Sequence, residues 1–329
     1  MSIFRYFIII AAVVYSSNLF AQDKLTEAQE ARNKGLEAFK AQELETAVQH
    51  LEKSVELCMY LVENEENEEA ENLMYETIEK IPGLYLKIGV GYLKGEGKDI
   101  KKAIEYLNKA KTSGTDYGDD DSVDQAKKIL ATVYTRIGGM KMKKQDFEGA
   151  IAELDKALKE DNDNSTTYLY KMMAYKGLGN HEQVVLNAKK TMETANTPKE
   201  KSDKNKAQSY AFKYFLKLGN DAKTAKKYSE AEERVKTALE FKSGDSQASF
   251  LLYNIYHDSK QYDLAIEAGE KAAALSSDDD IKSKIHYEIG KIYQGKGNNE
   301  KACEAYQKAK VGAFSQNAIY EIDQVLKCK

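Results

Sequence analysis

One pattern constrains this chain more than any other. A small residue is followed four positions later by an apolar or small one, and three positions after that by another small one. It reads Ala47-Leu51-Ser54, Ala103-Leu107-Ala110 and Ala150-Leu154-Ala157, then Val184-Ala188-Thr191, Ala231-Val235-Ala238, Ala265-Gly269-Ala272 and Ala302-Tyr306-Ala309. Positions four and seven apart share one face of an α-helix. Small side chains on that face let a second helix approach closely. Twelve positions upstream, Gly35, Gly138, Gly219 and Gly290 precede Ala47, Ala150, Ala231 and Ala302. Glycine inside a helix costs roughly 1 kcal/mol against alanine, so close contact with a partner helix is expected there. Only 2 prolines occur in 329 residues, which fits long helices and not a loop-rich β protein.

The motif pair Ile-Gly-x-x-Tyr, as at Ile289-Gly290-x-x-Tyr293, followed by Ala-x-x-x-Leu-x-x-Ala resembles the tetratricopeptide repeat, a 34-residue helix–turn–helix unit. Ala150 to Val184 and Ala231 to Ala265 are both 34 apart; Ala103 to Ala150 and Val184 to Ala231 are 47, Ala265 to Ala302 is 37, and Ala47 to Ala103 is 56. The excess is expected to be extra helical turns or linkers. The resemblance implies an all-α, right-handed solenoid of about seven helix pairs closed by a C-terminal capping helix. The reading by segment is repeats one and two over 22–111 with an acidic helical insertion at 63–81, a linker and the start of a long helix over 112–130, repeats three and four over 131–198, repeats five to seven over 199–316, and the cap over 317–329. Residues 112–122 (TSGTDYGDDDS) read as a loop by composition, and 95–97 as a longer turn. Met172 and Tyr253 stand where the other repeats have a small residue, so those two helix pairs are expected to splay.

Residues 1–21 have the layout of a secretory signal peptide: one basic residue near the start, a ten-residue apolar run (YFIIIAAVVY, 6–15), and a short tail ending at Ala21. The run is short for a membrane span of about 20 residues, and no later stretch approaches that length. An exported chain, periplasmic or secreted, with no stable membrane span after cleavage is the expectation. Export permits disulfides. Of Cys58, Cys303 and Cys328, the second lies near the start of the last repeat's second helix and the third near the end of the closing helix. Antiparallel packing would bring them together in a disulfide that pins the cap, leaving Cys58 free; three buried thiols are the alternative.

No catalytic constellation is legible. The 4 histidines, His50, His181, His257 and His286, form no metal-binding spacing, and no phosphate-loop, dinucleotide or nucleophile-elbow motif is present. No cofactor, no metal and no enzymatic activity are expected. Charge is uneven: residues 22–82 hold 16 acidic and 6 basic residues, net −10, and 189–242 hold 14 basic and 8 acidic, net +6. The basic run lacks the interleaved aromatics of a strand-binding groove, so nucleic acid is not expected. The resemblance implies that every third or fourth residue of each first helix lines a concave face. It assigns Lys213, Leu216 and Asn220, then Phe250, Asn254 and His257, then Tyr287 and Lys291, to partner binding. Phe250 and Glu288 stand where a carboxylate clamp would need other residues, which excludes that version of the face. A scaffold binding a protein or peptide, with an acidic partner favoured, is one reading. Self-assembly through the N-terminal end is a second, and a small-ligand binder or enzyme a third.

Overall fold

The computed structural model describes residues 3–94, 97–198 and 200–328, with side chains described from Ala21 onward and not for Lys199. The glycine turn expected at 95–97 therefore lies largely outside the described residues, as do the side chains of the N-terminal apolar run. Helices account for the described chain, and no strand occurs among the described residues.

Two compact units, Met1–Tyr170 and Lys171–Lys329, divide the chain. The first holds α1 (Ile3–Lys40) and α2 (Leu44–Glu65), the short α3 (Glu68–Ile78), α4 (Ile81–Gly91) with α5 (Ile100–Tyr117), and α6 (Asp120–Lys143) with α7 (Phe147–Glu160). The division falls inside α8 (Ser165–Gly177). The second unit continues with α9 (His181–Thr194), α10 (Lys201–Thr224) with α11 (Tyr228–Phe241), α12 (Ser246–Asp258) with α13 (Tyr262–Leu275), and α14 (Asp279–Gly295) with α15 (Asn299–Lys308). A 3-10 turn (Gly312–Phe314), α16 (Ser315–Tyr320) and a π-helical turn (Glu321–Leu326) close the chain.

The small-residue triplets are the buried seams of these pairs. Ala47, Leu51, Ser54, Ala103, Leu107, Ala110, Ala150, Leu154 and Ala157 are wholly buried, and so are their counterparts in the second unit to within 1%. The upstream glycines meet the middle member of each triplet. A Cβ on Gly138 would stand 2.8 Å from Leu154, and one on Gly219 would stand 2.5 Å from Val235. Both approaches are closer than carbon atoms tolerate, so the glycine is required for the helices to reach this separation.

The turn inside each pair repeats as well. Gln145, Lys226, Lys260, Gly179 and Gly297 all take the left-handed conformation, two residues before the next helix starts. Asp146, Asn180 and Asn298 then cap that helix, each accepting from the backbone N–H three residues on. Such a cap contributes about 1 kcal/mol.

The irregular spacings have a simple origin. First helices α6 and α10 are 24 residues long, against 13 for α8 and α12. Each is thus extended at its N-terminal end by about three turns. The largest gap is filled by α3 of the acidic insertion, after which Pro82 sits in the first turn of α4.

Two expectations need correction. Residues 112–117 are not a loop: α5 runs to Tyr117, and only Gly118 and Asp119 separate it from α6. Gly114 is buried in that helix, where a Cβ would stand 2.8 Å from Val123. The repeat with Tyr253 does not splay either. Tyr253 is 2% exposed and lies across from Gly269, sixteen residues later, where a Cβ would be 3.0 Å from its ring. The pairs with Gly35, Gly138, Gly219 and Gly290 put glycine on the first helix and a larger residue on the second; here the sizes are exchanged. Met172, 1% exposed, has the small Ala188 at the same offset.

Candidate functional site: the first-helix face of the second unit

The inferred binding residues come from α10, α12 and α14. The structure joins these helices through a ladder of polar contacts. Lys223 on α10 pairs with Asp258 at the end of α12 (2.8 Å). His257 stands 3.6 Å from Asp258 and 4.0 Å from Glu288 on α14. Glu288 also pairs with Lys291 (3.3 Å). Burial pulls the Asp258 carboxyl upward, and Lys223, with help from His257, more than cancels it, leaving it below the usual carboxylate range.

An aromatic layer lies beside the ladder. The Phe250 ring stacks on Tyr253 (5.9 Å), and the Lys284 ammonium lies 5.8 Å from the Phe250 centroid. That distance is within the cation–π range of about 6 Å, and Lys284 makes no ion pair with the described residues. Lys213 is exposed and has no ion-pair partner among the described residues. Asn254 is half-buried between Phe250 and His257 on the same helix stripe, and its amide makes no hydrogen bond to the described residues. Asn220 is exposed and Leu216 half-buried on α10.

Among the described residues, this face therefore offers two cations outside any ion pair, one partly desolvated amide without a hydrogen bond, and an aromatic ring. Its acids, Asp258 and Glu288, are already engaged. Sequence reading placed Lys213, Phe250, Asn254, His257 and Lys291 on this face. It missed Asp258, which ties α10 to α12, because that residue lies outside the assumed stripe. Tyr287 is only partly available: its ring packs 5.5 Å from Tyr306 and 5.4 Å from Phe314, and it borders a buried cluster of Ala302, Tyr306, Ala309, Ala318 and Ile322.

The remaining candidates do not converge. His181 shares a 2.8 Å hydrogen bond with the Tyr214 hydroxyl, and His286 is buried 3.9 Å from Glu270. Among the described residues, no group of three or more histidine, cysteine, aspartate or glutamate side chains could hold a metal ion. No helix of the described residues is long and apolar enough to cross a membrane. In the first unit, a pocket of about 380 Å³ is lined by Lys111, Thr115, Asp116, Lys127, Lys159 and Glu160, and Lys111 and Glu160 pair across it at 2.7 Å. Its lining holds no histidine or cysteine.

The tetratricopeptide repeat model matches residues 131–164 and 283–310, which are the α6–α7 and α14–α15 pairs. Those two helix pairs match the tetratricopeptide repeat. Such repeats bind protein or peptide partners. Tetratricopeptide repeat protein 1 of Schizosaccharomyces pombe is 30% identical over 96 residues, covering 29% of this chain and 9% of that protein. The chain thus spans a small fraction of that relative's length. Among solved structures, YrrB, described as a TPR protein with an unusual peptide-binding site, is 20% identical over 55% of this chain and 84% of its own, with a TM-score of 0.28. MamA is 24% identical over 60% and 96%, with a TM-score of 0.29. What this chain binds has to be argued from its own side chains.

Proposed function

We propose that this chain is an exported scaffold that captures an extended or helical segment of a partner protein on the first-helix face of its second unit, with acidic segments favoured. The carrying observation is the half-buried amide of Asn254, which makes no hydrogen bond to the described residues, on the helix that carries Phe250, with Lys213 and Lys284 outside any ion pair of the described residues. An amide donates to and accepts from a peptide backbone, and an aromatic ring supplies contact area at low entropic cost. Because Asp258 and Glu288 are engaged within the protein, the free charge of the face is positive, which attracts acidic chains and speeds their approach.

The mature chain is to be immobilised and offered an array of peptides graded from acidic to basic. Retention of the acidic members, falling as salt rises, is the expected result. Asn254→Ala is expected to weaken that retention while leaving the melting curve close to the wild type, within the roughly ±0.5 kcal/mol usual for a surface change. Equal retention of basic peptides, or full retention by the variant, removes this face from consideration.

Export rests on the charged start, the short apolar run and Ala21 in order. Cleavage after Ala21 would take one small side chain from a cluster whose larger members, Leu25, Leu57 and Leu61, remain. Intact-mass analysis of the exported protein is expected to give Gln22 as the first residue. A mature species still starting at Met1 contradicts the assignment.

A further inference from the structure

The C-terminal segment does more than cover the last helix pair. It crosses the first-helix stripe of α14. The Ala313 N–H donates to Asp280 Oδ1 (2.7 Å) and the Phe314 N–H to Ser283 Oγ (3.0 Å). Gly312 makes the crossing possible. It takes φ +65, and a Cβ there would stand 2.5 Å from the Asp279 carbonyl oxygen. One turn further along α14, the Phe314 ring lies 5.4 Å from Tyr287. At its far end the Gln294 amide donates to the Glu321 carboxylate (3.4 Å) while accepting from the Tyr306 hydroxyl (2.8 Å). Asp280, Ser283, Tyr287 and Gln294 recur at the three- and four-residue spacings of one helix face. Burial first, and the Glu321 carboxylate after it, hold the Tyr287 phenol above its usual range.

Little apolar contact holds this segment down. Of its described side chains only Ala318 and Ile322 are buried, while Tyr320 is 60% and Val325 45% exposed. Its covalent tie is the disulfide between Cys303 on α15 and Cys328, with Cα atoms 5.9 Å apart. Both cysteines are half-buried, within reach of a small reductant, whereas Cys58 is buried in the first unit.

We propose that the C-terminal cap is a wall of the partner-binding face, fixed by the Cys303–Cys328 disulfide and released by a dithiol reductant. The idea rests on the binding reading above. In the releasing step a reductant thiolate attacks one sulfur of the bond and the other sulfur leaves as a thiolate. The reductant's second thiol then closes onto its own bound sulfur. Two electrons and two protons pass from the dithiol to the pair, giving two cysteine thiols and one oxidised dithiol. The freed segment takes Phe314 away from Tyr287 and Glu321 away from Gln294, so the face loses its end wall and two of its positioned side chains.

The test uses the full mature chain, with dithiothreitol as the reductant. Amide exchange over 312–328 is expected to accelerate at least about tenfold on reduction, and exchange over α14 around Tyr287 severalfold, because local opening sets the exchange rate. The tyrosine near-ultraviolet circular dichroism should weaken in parallel. Cys303→Ser with Cys328→Ser should behave as the reduced protein with or without the reagent, which separates the effect from Cys58. Retention of the acidic array peptides should fall severalfold in the reduced chain. Unchanged exchange over 312–328 when both thiols can be alkylated overturns the proposal. So does a freed cap with α14 and peptide retention unaltered. If the oxidised chain retains no peptide at all, the binding reading fails, and the exchange of α14 still decides whether the cap holds Tyr287.

Discussion

Replacing Tyr253 by glycine and Gly269 by leucine together is expected to destabilise the second unit far less than the two single changes added. The pair stands sixteen residues apart, as do Gly138 and Leu154 or Gly290 and Tyr306, but with the large and small members exchanged. Tyr253→Gly alone leaves a cavity under a side chain that is 2% exposed, a change costing about 3–5 kcal/mol for aromatic truncation. Gly269→Leu alone drives a branched side chain into the Tyr253 ring and into Ile285 and Ile289, whose atoms lie 3.0–3.1 Å from the site of a Cβ, and overpacking of this kind costs about 1–3 kcal/mol. In the double variant the leucine enters the space the ring leaves, restoring the arrangement of the other pairs. A favourable coupling of about 1–3 kcal/mol is the expected outcome of the cycle by urea denaturation. Rescue stays incomplete because Ile285 and Ile289 still face the new side chain. Additivity of the three variants within about 0.5 kcal/mol sinks the idea that the sizes compensate.

The same pair shows what could and could not be read from the residues. The seams were legible because burial repeats at helical spacing: each triplet from Ala47 to Ala309 lies where its periodicity put it. Splaying at Tyr253 was the wrong expectation because it judged each position against its own column. Packing acts on the sum of two facing side chains, and Gly269 is the term that column omits. Residues 112–117 failed for a related reason. Threonine, serine and glycine together signal a loop, yet Gly114 is small because α6 approaches it through Val123, and the glycine that turns the chain is Gly118, at φ +75. On the candidate face, the resemblance assigns Phe250, Asn254 and His257 to one stripe of α12. The neighbours of Tyr287 were not legible, since Phe314 reaches it from a 3-10 turn with no periodicity to follow. The capping helix expected over 317–329 begins at Ser315, passes into a π-helical turn, and leaves Val325 exposed. The wider turn rotates the last residues away from the face that a regular 3.6-residue repeat assigns them.

The chain's 22 tyrosines lead to a second large effect, on the alkaline side. Burial, with the hydrogen-bonded Glu52 carboxylate behind it, holds the Tyr85 phenol well above its usual range. Burial followed by the charges of Glu288 and Asp258 does the same to Tyr253, and burial followed by Glu321 to Tyr306. In the unfolded chain each phenol ionises near pH 10. Above that value the folded protein keeps protons that the unfolded chain has lost. Stability is therefore complete below the unfolded value and is lost as pH rises towards the folded ones. Each such tyrosine removes about 1.4 kcal/mol per pH unit in that window. Urea midpoints are expected to be unaffected by these groups up to about pH 9 and to fall steeply beyond about pH 10, in the first unit through Tyr85 and in the second through Tyr253 and Tyr306. Tyr253→Phe is the decisive variant, because the Tyr253 hydroxyl makes no hydrogen bond within the described residues and its removal leaves no partner stranded. It should change little at neutral pH and should flatten the alkaline loss of the second unit by about 1.4 kcal/mol per pH unit. Identical alkaline slopes for the variant and the wild type would show that the ring is reached by water and ionises freely, and would remove Tyr253 from the buried seam on which the size exchange with Gly269 depends.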